Sequence, residues 1–133
     1  MPPLPPDPPV LEVFYSPSCA PCRLELPVVA QIAARQEARI RIVILDQEVR
    51  SRNELRAVSP ALEAAAIDPA AGKSPNEVLR AAGEDRGILP YARSLTADGA
   101  VCAKWSGGLT LTRAQGLLDA CMRLVTSPRR SRP

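Results

Sequence analysis

At 133 residues the chain is long enough for one domain with its own core and too short for two, and 46% hydrophobic against 23% charged residues is ordinary for a globular protein. The net charge is only +3, with basic residues scattered at positions such as Arg35, Arg39, Arg41, Arg129, Arg130 and Arg132, and the aromatic residues are few (Phe14, Tyr15, Tyr91, Trp105), so nucleic acid is not an expected partner. The absence of histidine excludes Ser-His-Asp and Cys-His catalysis and any His-ligated zinc, copper or haem.

Residues 1–9 are largely proline and read as a disordered polyproline arm. They carry neither the basic start nor the apolar run of a signal peptide, and no stretch approaches the roughly eighteen apolar residues of a membrane span. The chain is therefore expected to be cytoplasmic as it stands, or periplasmic or otherwise extracytoplasmic if a leader has been removed. Val10 to Tyr15 is a short β-branched and aromatic run, a strand that Ser16-Pro17-Ser18 ends. From Ala20 to about Gln36 the pattern turns helical, with Leu24, Val28 and Ile32 on one stripe, Val29 and Ala33 beside it, and Pro27 kinking it. Arg39 to Leu45 is a second strand, hydrophobic enough to sit centrally in a parallel sheet. Residues 46–87 are alanine-rich and punctuated by Pro60, Pro69, Gly72 and Pro75. Short helices are expected near 48–57, 59–66 and 74–82, the last opening at Ser74-Pro75 with Glu77 three residues on.

Tyr91–Thr96 and Val101–Trp105, joined by a turn at Asp98-Gly99, read as an antiparallel hairpin. After Gly107-Gly108, Thr112 and Gln115 suggest a capping box for a final helix with Ala114, Leu117, Leu118, Cys121, Met122 and Val125 on its apolar stripe. Residues 126–133 read as a frayed basic tail. The expected architecture is one α/β domain over residues 10–125. A parallel βαβ half and an antiparallel ββα half share a four-stranded mixed sheet flanked by helices, with a helical insert at about 47–87 between the second and third strands.

The chemistry lies in Cys19-Ala20-Pro21-Cys22. A Cys-x-x-Cys between a strand and a helix is a redox signature. Unpaired N–H groups at the helix start favour a thiolate at Cys19, the attacking form, and Cys22 stands one turn further in, within reach to resolve a mixed disulfide. Pro21 stiffens the loop where a helix tolerates proline. The competing reading is an inert pair or half of a zinc site. Zinc needs four ligands, and the remaining Cys102 and Cys121 do not form a second Cys-x-x-Cys, so no metal and no cofactor is expected.

At these residues the chain resembles the thioredoxin family. The first strand runs into Cys19-Ala-Pro-Cys22, similar to the family's Cys-Gly-Pro-Cys. Arg23 follows, Pro27 stands five residues after the second cysteine, Ile88-Leu89-Pro90 opens the hairpin, and Gly107-Gly108 precedes the last helix. The resemblance covers roughly residues 10–46 and 86–125. It implies thiol–disulfide exchange, with Cys19 as exposed nucleophile, Cys22 as resolving thiol, and Ser18, Ala20 and Pro21 as the active-site loop. It further implies a cis Pro90 beside the pair and Leu89 backbone groups that pair with an extended protein substrate. The partners implied are a protein thiol or disulfide substrate and a second redox protein, met by a monomer.

Three positions depart from the family: Ser18 replaces a tryptophan, Val13 replaces a buried acid on the first strand, and the 46–88 stretch is long. Glu25 is expected on the solvent face and so does not replace that acid. The insert either narrows substrate choice or covers a bare sheet face. Other readings of the chain are a redox-inactive partner-binding module and a copper(I) carrier. Cys102 and Cys121 come to similar heights on a strand and the last helix. They are either two buried thiols or a structural bridge distant from the active pair, which would speak for an oxidising compartment.

Overall fold

The alternation in β1 (Val10–Tyr15) divides the protein into two cores. Leu11, Val13 and Tyr15 point to one face of the sheet, where they are fully buried, and Glu12 and Phe14 point to the other. The computed structural model describes residues 7–69 and 72–126; most of the Pro-rich arm (residues 1–6) and nearly all of the basic tail (127–133) lie outside the described residues. The chain continues through α1 (Ala20–Leu24), α2 (Leu26–Ala34), β2 (Arg39–Ile44), α3 (Glu48–Val58), α4 (Pro60–Ala64), β3 (Ala66–Ile67), α5 (Pro75–Ala81), β4 (Tyr91–Leu95), β5 (Val101–Ser106) and α6 (Leu111–Thr126). The sheet order is β3-β2-β1-β4-β5, with β1, β2 and β3 parallel, β4 antiparallel to β1, and β5 antiparallel to β4.

Five strands replace the expected four. The additional one, β3, is only two residues long and falls at the end of the stretch read as a helix over 59–66. Ala66 has helical propensity, but the pairing of Ala66 and Ile67 with Ile42 and Val43 on the sheet edge overrides it. The other helices of the insert form where expected, and Ser74 and Glu77 close a capping box on α5.

The insert is shared between the two faces. Leu55 of α3 and Leu62 of α4 join Leu26, Val29 and Ile32 of α2 and Ala114, Leu117 and Leu118 of α6 in the larger core. Leu79 of α5 packs with Phe14, Val43 and Tyr91 on the opposite face. Each fully buried Leu or Ile in these cores contributes about 1.5–3 kcal/mol relative to exposure. The second face also carries a buried carboxylate, Glu12, whose register neighbours on both sides are arginines. Arg41 and Arg93 each approach one of its oxygens at 2.6 Å, so the charge is paired from both flanking strands.

Two expected stripes shift. The first helix breaks at Glu25, because Pro27 has no N–H to continue the ladder and the amide of Glu25 turns back to Arg23 and Pro21 carbonyls. The buried stripe is therefore Cys22, Glu25, Leu26, Val29 and Ile32, while Leu24 is 79% exposed. In α6 the cap is Thr110 rather than Thr112: its Oγ1 accepts from Arg113 N at 3.1 Å. Met122 and Val125 are about half exposed (46% and 56%), since a 16-residue helix outruns a six-residue strand. Their lengths are about 24 Å and about 20 Å. No helix among the described residues is long and apolar enough to cross a membrane.

Candidate active site

β1 ends at Tyr15, and a tight loop delivers Cys19 to the start of α1. The loop is built from its own serines. Ser16 O accepts from Cys19 N at 3.1 Å, and Ser16 Oγ accepts from Ser18 N at 3.2 Å while donating to Asp46 Oδ1 at 2.8 Å. Gln47 Nε2 donates to Ser18 Oγ at 3.1 Å, and Ser51 Oγ donates to Asp46 O at 2.9 Å. A third tie runs from the Tyr15 hydroxyl to the Glu54 carboxylate, itself paired with Arg50 at 3.1 Å. Burial and the Glu54 contact push the Tyr15 hydroxyl pKa up, so it stays protonated as a donor. The start of the insert is thereby strapped to the end of β1 and the loop that presents Cys19 through Asp46, Gln47 and Glu54, with Arg50 and Ser51 bracing those residues from within α3.

Cys19 and Cys22 are joined in a disulfide with Cα atoms 5.2 Å apart. Their environments differ. Cys19 is half-buried and is the N-cap of α1, its Sγ accepting from Cys22 N at 3.1 Å. Cys22 is wholly buried in the larger core. Ala20 and Pro21 are exposed at the first two helical positions, and Ser18 is exposed before them. A sulfur that accepts a backbone hydrogen bond at a helix start is stabilised as a thiolate once reduced.

Glu25 is the residue that sequence reasoning misplaced. It is 4% exposed, not solvent-facing. Its Oε2 accepts from Leu109 N at 2.8 Å, and its Oε1 is buried without a partner. Burial pushes its pKa up from 4.5 to about 7, the Leu109 hydrogen bond opposing. The signal was present in the spacing. Positions 22, 25, 26, 29 and 32 form one helical face once the break at Glu25 is recognised, and a carboxylate in that series must go inside.

Leu89 and Pro90 come to the same end of the sheet as the cysteine loop, because Tyr91 pairs with Phe14 at the end of β1. The Leu89–Pro90 peptide bond is cis; Pro90 is buried and Leu89 half-buried. Pro90 O accepts from Gly107 N at 2.8 Å, which extends the hairpin pairing past β5. Val13, where the resemblance led to an acid, is a buried core residue.

Cys102 and Cys121 are not part of this group. They form a second disulfide between β5 and α6, at the far end of the hairpin from Tyr91. The strand register alone would place Cys102 on the face of Lys104, away from α6. A bulge resolves this: Ala103 pairs with Ser94 and Val101 with Leu95, leaving Cys102 as the extra residue, free to turn to the helix.

No protein-family model matches the chain, and no curated protein matches it in sequence. Its structure is similar to a thioredoxin-related protein of Neisseria meningitidis serogroup B, with a TM-score of 0.72, 16% identity, and coverage of 86% of this chain and 85% of that one. A secreted disulfide oxidoreductase of Mycobacterium tuberculosis superposes with a TM-score of 0.63 at 15% identity, covering 86% of this chain and 82% of that one. A thiol:disulfide interchange protein described for Chlorobium tepidum gives 0.62 at 21% identity, covering 87% and 79%. The chain has a thioredoxin-like fold.

Proposed function

We propose that this thioredoxin-like domain carries out thiol–disulfide exchange on protein substrates through Cys19 and Cys22. The observation that supports this most is the asymmetry of the pair: Cys19 is accessible and caps a helix with its sulfur, while Cys22 is buried directly behind it.

The exchange runs in two displacements. The Cys19 thiolate attacks one sulfur of a substrate disulfide, forming a mixed disulfide and releasing the other substrate sulfur as a thiolate. Cys22 then loses its proton and attacks Cys19 Sγ, which closes the Cys19–Cys22 disulfide and releases the second substrate thiolate. Two electrons pass from the pair to the substrate. Reversal of both steps oxidises a substrate dithiol. Glu25 supplies a proton acceptor for Cys22: it lies one turn on, is buried on the same side, has a free Oε1, and its pKa of about 7 suits both giving and taking a proton near neutrality.

Leu89 and Pro90 line the side of the site where an extended substrate segment pairs with backbone groups, as at a sheet edge. The domain works in an oxidising compartment, which the Cys102–Cys121 bridge supports. The test is equilibration of the pair with a glutathione buffer. Reversible opening of Cys19–Cys22 as the buffer becomes more reducing is the expected result, and a pair inert across the series contradicts the reading.

A further inference from the structure

The segment that leads into Pro90 is anchored by a carboxylate with no part in the exchange chemistry. Helix α5 ends at Ala81 with Ala82 as its C-cap, Gly83 turns the chain sharply with a φ of +97°, and Glu84 follows with its amide donating to Leu79 O at 2.9 Å. The end of α5 is docked on the hairpin by three side chains. The Tyr91 hydroxyl donates to Ala82 O at 2.7 Å, Arg93 Nη1 to the same oxygen at 3.3 Å, and Lys104 Nζ to Gly83 O at 3.0 Å.

Glu84 itself is 5% exposed, a rare location for a carboxylate unless it is fully occupied. It is occupied. One oxygen accepts from the Ser106 hydroxyl and the other from Arg86 N at 2.9 Å. The Ser106 bond foremost, then the Arg86 amide, holds its carboxyl below the usual carboxylate range, with the Ile88 amide adding to the effect. The six residues from Glu84 to Leu89 are therefore closed at both ends onto consecutive residues of the hairpin: Glu84 onto Ser106, and Pro90 O onto Gly107 N. Between these two anchors lie Ile88, 40% exposed, and Leu89.

We propose that Glu84 is a positioning residue for substrate binding, which fixes the Ile88–Leu89 backbone in place by holding the Arg86 amide and the Ser106 hydroxyl together. The proposal rests on the reading that the Leu89–Pro90 segment meets the substrate. It assigns Glu84 no role in proton transfer or in the reactivity of Cys19. A flexible segment would have to be ordered each time a substrate docked, at a cost in backbone conformational entropy. Glu84 makes that ordering part of folding instead, so its loss falls on substrate affinity and spares the sulfur chemistry.

The experiment uses the full chain, with insulin as the protein disulfide and dithiothreitol as the reductant. Glu84→Ala raises KM for insulin about five-fold or more, leaves kcat within about two-fold, and leaves the pH profile of Cys19 alkylation unchanged. Glu84→Gln keeps an oxygen for Arg86 N and an amide for Ser106, and restores KM to near the wild-type value. Ser106→Ala removes one donor only and raises KM by a smaller factor, which decides the matter if Glu84→Ala fails to fold. An unchanged KM in Glu84→Ala, or in Ser106→Ala where Glu84→Ala does not fold, overturns the proposal, as does a fall in kcat matched by a shifted alkylation profile. Absence of insulin reduction by the wild-type chain would instead overturn the exchange reading on which the proposal rests.

Discussion

Replacing Glu25 by Gln separates the cost of burying a carboxyl from everything else in the domain. The amide has the same shape, can still accept from Leu109 N, and does not ionise. In the wild-type chain the carboxyl has an ordinary value of 4.5 when unfolded and about 7 when folded, because burial disfavours its charge. Below the lower value both states hold the proton and the group has no effect on stability. Between the two values the unfolded chain gives up the proton while the folded chain keeps it, so stability falls as pH rises through this window and levels off above about 7. The full difference is about 3 kcal/mol. Urea unfolding of oxidised wild type and Glu25→Gln, at intervals from pH 4 to pH 8, reads it directly, since the other titrating groups are common to both. The stability of the variant relative to wild type should rise by about 3 kcal/mol across that range. A difference that does not change with pH would show that Glu25 ionises freely in the folded protein, and would remove it as the proton acceptor for Cys22.

Two further predictions concern the two cysteine pairs. Replacing both Cys102 and Cys121 by Ser opens a bridge spanning 19 residues and should lower stability by about 3 kcal/mol, measured by urea unfolding. Insulin reduction by the folded variant should persist, and its loss would place the second bridge in the reaction. Cys22→Ser should accumulate mixed disulfides with protein substrates through Cys19, visible on non-reducing gels and mapped by mass spectrometry, whereas Cys19→Ser should capture none. Equal capture by the two variants would contradict the assigned roles.

Much of this arrangement is legible in the residue pattern, and the exceptions have physical causes. The strand–loop–Cys-x-x-Cys–helix unit follows from alternation in Val10–Tyr15, the Ser16-Pro17-Ser18 break and a proline at a helix start. The hairpin follows from Asp98-Gly99, where Gly99 adopts a φ of +98°. The position of Pro90 follows in turn, because the β4 register brings it beside the end of β1. What escaped the pattern was set by tertiary pairing. β3 exists because the edge of β2 offers Ile42 and Val43 for pairing, which Ala66-Ile67 at the end of an alanine run does not announce. Glu25 turns inward because the helix breaks one residue earlier than a simple Pro27 kink implies, which rotates the stripe so that Leu24 faces water. The ties from Asp46, Gln47 and Glu54 to the cysteine loop span 30 or more residues of sequence or close to it, as in the separation of 30 between Ser16 and Asp46 and of 39 between Tyr15 and Glu54. Local periodicity carries no information about such pairs.

The exchange activity proposed for Cys19–Cys22 is read by incubating the purified chain in a graded glutathione series, trapping with an alkylating reagent, and mapping the modified cysteines by mass spectrometry. The expected result is a single two-electron transition confined to Cys19 and Cys22, with Cys19 alkylated much faster than Cys22 near neutral pH and Cys102–Cys121 still closed at the midpoint. A Cys19–Cys22 pair that stays closed across the whole series, or two thiols that react at equal rates once opened, would contradict it.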